Sequence, residues 1–83
     1  MALFMDVHNK VEGLTAEAVD GAHQRDLEVQ EKYGVDYQSY WFDEASGKVF
    51  CLVDAPDAEA AAAVHREAHG LLADEIVPVQ RGA

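Results

Sequence analysis

The sequence predicts an α+β fold, on three observations. Period-2 alternation opens the chain, two helical stretches each run from a capping residue to a glycine, and a turn cluster joins two short runs rich in β-branched and aromatic residues. In residues 3–8, Leu3, Met5 and Val7 alternate with Phe4, Asp6 and His8, the period of a strand. Gly13 breaks the chain, Thr15 is a good N-cap, and Leu14 with Val19 has the spacing of a hydrophobic staple. A helix is therefore expected over 16–33, with Gly34 as its stop. Residues 35–42 read as a second strand, Asp43-Glu44-Ala45-Ser46-Gly47 as a turn and 48–53 as a third strand, together a hairpin. Asp57 caps a second helix over 58–69 that Gly70 ends, and 75–79 is a last strand with Pro78 suited to an edge or strand end. The order β-α-β-β-α-β is the split βαβ, or ferredoxin-like, pattern: a four-stranded antiparallel sheet with two helices on one face. Residues 1–83 are expected to form one such domain.

Such a fold leaves the other sheet face bare. Here the strands are apolar or aromatic on both parities, with Phe4, Tyr40, Phe42, Phe50 and Leu52 on one and Leu3, Met5, Trp41, Val49 and Val53 on the other. A large exposed apolar patch marks an interface, so a homodimer packed sheet to sheet is expected.

Composition narrows the function. Sixteen acidic residues against six Lys and Arg give a formal charge of -10, while 49% hydrophobic residues exclude a disordered acidic tail. Phosphate backbones and anionic membrane surfaces both need cationic side chains, so neither nucleic acid nor membrane is an expected partner. The single Cys51 forms no internal disulfide, no run of apolar residues is long enough to span a bilayer, and no basic n-region precedes the first strand. A cytoplasmic setting is expected.

The candidate chemistry lies where the apolar pattern breaks. On a wheel of about 100° per residue, Ala16, Val19, Ala22, Leu27 and Tyr33 form the core stripe of the first helix. His23, Asp26 and Gln30 stand in its middle. Buried polar groups cost about 1–3 kcal/mol each unless they find partners. His23 and Asp26 are three apart, the spacing at which helical side chains meet, and mark a metal or proton site. In the second helix, His65 and His69 at i, i+4 present both imidazoles on one face, the spacing of two helical ligands for one metal, with His65 nearer the core. His8 ends the first strand and shares a face with Asp6. Cys51 reads first as a small buried hydrophobe and second as a ligand. His8, His23, Asp26, His65 and His69 are thus the candidate metal ligands. Imidazole with carboxylate suits nickel, zinc, copper or cobalt; calcium and magnesium want oxygen ligands, and structural zinc sites usually take several cysteines.

Phe4-Met5-Asp6-Val7-His8, Gly13-Leu14-Thr15, the run His23-Gln24-Arg25-Asp26-Leu27-Glu28-Val29-Gln30, Gly47-Lys48-Val49-Phe50-Cys51-Leu52 and Val64-His65 through His69-Gly70 carry a resemblance over nearly the full length. In this ordered series the chain resembles the small bacterial nickel-binding proteins of ferredoxin-like fold, a group first classed as a domain of unknown function. The resemblance implies a dimer that binds nickel, without established catalysis, and directs attention to His8, His23, Asp26, Cys51 and His65. The result is a divalent-metal binding protein that acts as buffer, carrier or sensor. The competing expectation is an enzyme, a small dimeric α+β barrel of monooxygenase or isomerase type. There His23 and Asp26 would be an acid–base pair, with Cys51 or Tyr37 lining a pocket. Neutral imidazole is the ligand form, so metal affinity is expected to fall as pH drops through about 6.5.

Overall fold

A computed structural model describes residues 2–82. Its elements run β1 (Ala2–His8), α1 (Ala16–Val29), β2 (Asp36–Asp43), β3 (Lys48–Ala55), α2 (Ala58–Ala68) and β4 (Glu75–Pro78). The sheet order is β2-β3-β1-β4 with every neighbouring pair antiparallel, so the expected ferredoxin-like fold is present. Among the described residues no helix is long and apolar enough to cross a membrane.

The caps act as the sequence suggests. The side chains of Thr15 and Asp57 accept from Ala18 N and Ala60 N and open the two helices. The first helix differs at its far end. After Val29 the backbone tightens into a 3-10 turn, Gln30–Tyr33, which Gly34 closes in the left-handed region at φ 68°. Gln30, one of the three polar residues on the core stripe, is accounted for there: its side-chain oxygen accepts from Tyr37 N at 2.8 Å.

Both helices cover one face of the sheet. The core joins Val19 of α1 and Ala61 and Val64 of α2 to Tyr37, Val49, Cys51, Val53 and Ala55 of the strands. Strand register corrects the sorting of faces by residue number. Phe4 pairs with Val53 and Asp6 with Cys51, so even positions of β1 share the helix side with odd positions of β3. Phe4, Asp6 and His8 therefore point toward the helices with Val49, Cys51 and Val53. Phe50 and Leu52 point away from them, with Leu3, Met5, Val7 and Trp41. A bulge between Tyr37 and Ser39 adds one residue to β2, so Tyr37 and Tyr40, three apart, both reach the core.

One glycine fixes the entry to the site. Gly47 sits at φ 80°, and a Cβ there would lie 3.2 Å from the backbone N and O of Val11. Its carbonyl accepts from Val11 N at 2.9 Å, so the hairpin turn holds the loop that follows His8.

Candidate metal centre

Among the described residues, four buried ones are polar or charged, Asp6, His8, Asp26 and His65, and all lie on the helix side. They come from three elements, and the imidazole of His65 is their centre, 1% exposed. Its Nδ1 lies 2.9 Å from Asp26 Oδ1 in a buried hydrogen bond. Its Nε2 lies 2.8 Å from Asp6 Oδ2 as an ion-pair contact, and makes no hydrogen bond among the described residues. Tyr37 closes the group from β2: its hydroxyl donates to Asp6 Oδ2 at 2.6 Å and its ring stacks on His65 with centroids 4.7 Å apart. The second oxygen of Asp6, Oδ1, is buried without a partner.

His69 approaches from the end of α2. Its Nδ1 accepts from Leu71 N at 3.1 Å, which leaves the ring proton on Nε2, 3.1 Å from Asp26 Oδ1. One oxygen of Asp26 thus faces two imidazoles. On the other side of His65, the ring of His8 stands 5.2 Å away, and ligand atoms of His8, Cys51 and His65 all lie within 4.8 Å of one another. Asp26, His65 and His69 form a second group of the same compactness.

Protonation follows from this geometry. Burial opposes charge on His65, but its contacts with Asp26 and Asp6 outweigh it and push the imidazole up to about 11. Burial also opposes charge on Asp26, and the bonds from His65 and His69 overcome it and hold the carboxyl below its usual range. Burial, reinforced by the neighbouring His65, lowers His8, which is therefore neutral at pH 7. Burial raises the Cys51 thiol and, with Asp6 beside it, the Tyr37 phenol. In the metal-free state His65 is a buried cation held between two carboxylates.

The residues fit a first-row divalent metal, and the orphaned Nε2 of His65 is the test. A metal-bound imidazole characteristically gives its other ring N–H to a carboxylate, and Nδ1 already does so to Asp26. His8 and Cys51 supply nitrogen and sulfur within 4.8 Å of a ligand nitrogen of His65. The second group fits less well. His65 Nδ1 is committed to Asp26, and His69 turns the N–H face of its ring toward that same carboxylate.

The five candidate residues do not all meet. His8, Asp26, His65 and His69 converge, whereas His23 stacks on Tyr40 with centroids 4.7 Å apart, and Asp26 bonds to α2 rather than to His23. Asp6 and Tyr37 are members of the cluster that the sequence named only in passing, Asp6 for sharing a face with His8 and Tyr37 as a pocket wall in the enzyme reading, and neither as a candidate ligand. For Asp6 the signal was its place on the same face of β1 as the candidate ligand His8. A cleft of about 520 Å³ leads from the cluster to solvent, with Leu14, Val19, Ala22, His23, Leu71 and Leu72 among its lining residues.

Residues 4–79 match a family described as nickel responsive protein SCO4226-like. The crystal structure of SCO4226 from Streptomyces coelicolor A3(2) superposes with a TM-score of 0.91 at 44% identity, covering 99% of this chain and 100% of that one. No curated protein matches the chain.

Proposed function

The chain belongs to the nickel responsive SCO4226-like family, and from that premise we propose that it is a homodimeric nickel-binding protein, a sensor, carrier or buffer without catalysis. The observation that carries the reading is the buried His65 ring, whose Nε2 makes no hydrogen bond among the described residues and faces only the Asp6 carboxylate, grouped with His8 and Cys51 and held from behind by Asp26. His8, Cys51 and His65 would hold the ion, while Asp26 fixes the ring of His65 and Asp6 balances charge. The metal would supply a positive charge in place of the protons that His65 and Cys51 carry without it. This donor set also suits zinc, copper or cobalt; the family favours nickel.

The open face of the sheet supports the dimer. Leu3, Met5, Val7, Phe50 and Leu52 share it with Trp41 and Val77, which are 52% and 41% exposed in the single chain. Burial of this face against a second copy would remove it from water at roughly 25 cal/mol per Å².

The cleft beside His23 is the space that the enzyme reading needs. Its acid–base pair is missing, however, because Asp26 orients His65 and not His23.

Nickel titration of the untagged protein tests the proposal. The wild type should bind near-stoichiometrically with a near-ultraviolet thiolate-to-metal band, and Cys51→Ala should abolish that band while the protein stays folded. Absence of binding below millimolar nickel would sink it.

A further inference from the structure

The cleft is much larger than coordinated water requires. Its volume is about 520 Å³, against roughly 30 Å³ for one water and about 300–1,000 Å³ for pockets that take small organic ligands. Its walls are mostly apolar. Leu71 and Leu72 stand at its mouth at 46% and 50% exposure, two adjacent large hydrophobics that the fold itself leaves uncovered. Yet the cleft runs onto His8, Cys51, Asp26 and His65.

The donor count leaves room on that side. The group His8, Cys51 and His65 offers three ligand atoms, whereas a divalent first-row metal takes about four to six. Positions beyond these three, and beyond any that Asp6 fills, are open to whatever occupies the cleft. Arg25 lines it and makes no ion pair among the described residues, so a guanidinium stands ready for a carboxylate. A carboxylate for Arg25, nitrogen and oxygen donors for the metal and an apolar body for the walls describe one class of molecule.

We propose that the cleft binds an amino-acid-sized amine–carboxylate chelator, so that the metal is held in a ternary complex between this molecule and the buried cluster. The proposal rests on nickel binding at His8, Cys51 and His65. On this account the metal enters as a chelate, and Leu14, Leu71 and Leu72 select the organic part.

L-histidine serves as the probe. Native mass spectrometry of the untagged protein with nickel chloride and L-histidine should show one nickel and one histidine bound together. At fixed free nickel, histidine should raise nickel occupancy, with at least a tenfold gain in apparent affinity. Ala22→Phe, which fills the cleft, should lose histidine and keep nickel. Leu72→Trp, at a half-exposed position that tolerates bulk, should do the same if Ala22→Phe fails to fold. Arg25→Gln should weaken the ternary complex about tenfold and leave nickel alone unchanged. If histidine merely strips the metal from the wild type as a competitor, the inference is overturned while nickel binding stands. If neither nickel nor its histidine complex binds, the metal reading falls and takes this one with it.

Discussion

Toward the helices, the strands present Asp6, His8, Tyr37 and Cys51, and α1 and α2 answer with Asp26 and His65. Away from the helices the same strands present Leu3, Met5, Val7, Phe50 and Leu52. The chemistry is thus enclosed and the apolar surface is left outside, the reverse of what a small monomer needs. Each departure has its own explanation. Buried charges survive because His65 sits between two carboxylates. The apolar outer face is the surface that the proposed dimer would cover. The two faces should therefore fail independently: substitutions on the inner side should change metal affinity and the stability of the chain, and those on the outer side should change association.

The largest effect is expected at Asp26. Asp26→Ala removes the hydrogen bond to His65 Nδ1 and the carboxylate facing His69. It leaves a buried imidazolium with Asp6 alone, at a loss of about 3–5 kcal/mol in urea unfolding of the metal-free protein. Nickel affinity should fall about 10–100-fold, the usual effect of removing an outer partner of a ligand. Unfolding shifted by less than 1 kcal/mol would show that the cluster does not support the core.

pH separates the inner face from the outer one next. Without metal, the raised value of His65 contributes stability that is full below 6.5 and is lost as pH rises through about 11. The lowered value of Asp26 contributes stability that is full above 3.8 and is lost as pH falls below it. Nickel must displace the protons of both His65 and Cys51, whereas His8 is already neutral. Apparent affinity should then rise about tenfold per pH unit for each proton released, about a hundredfold in all around neutrality. That gradient replaces the midpoint near 6.5 expected of an unperturbed imidazole. In Cys51→Ala the slope should drop to about tenfold per unit. An affinity flat above pH 7 would remove His65 from the ligands.

What was legible in the sequence follows local rules, and what was not depends on tertiary approach. Strand alternation, caps and glycines marked every element, because each is decided within a few residues. The wheel also found Asp26 on the buried stripe of α1, and it is 2% exposed. The pairing with His23 did not follow, since two residues on one helix meet only if nothing better faces either of them. Asp26 faces His65, 39 positions later in the chain, and His23 faces Tyr40. Tyr37 became part of the site through the bulge in β2, which alternation alone does not reveal. The centrality of His65 needed the register of β1 against β3, which brings Asp6 opposite Cys51.

On the outer face Trp41 is the test. It pairs with Phe50 and stands 52% exposed, the profile of an interface anchor. Trp41→Ala should weaken the dimer by about 2 kcal/mol, roughly thirtyfold in dissociation constant, with nickel affinity per chain unchanged. Sedimentation equilibrium across a concentration series reads the first and titration the second. A wild type that sediments as a monomer at high concentration would remove the explanation for the outer face.

The smallest effect comes from Tyr37→Phe, and it is the sharpest on the inner boundary of the site. The substitution keeps the ring that stacks on His65 and deletes only the hydroxyl, which donates to Asp6 Oδ2 at 2.6 Å with the Ala61 carbonyl as a weaker second acceptor at 3.1 Å. Loss of one hydrogen bond to a buried carboxylate should lower stability by about 1.5 kcal/mol. Nickel affinity should stay within about threefold if the metal is held by His8, Cys51 and His65, because the deleted hydroxyl bonds to Asp6 and Ala61 and to none of these three. A larger change would mean that Asp6, whose Oδ1 is also buried without a partner, contributes an oxygen to the metal. Double substitution of Tyr37→Phe with Cys51→Ala distinguishes the two: additive losses place Asp6 outside the coordination sphere, and strongly non-additive ones place it inside.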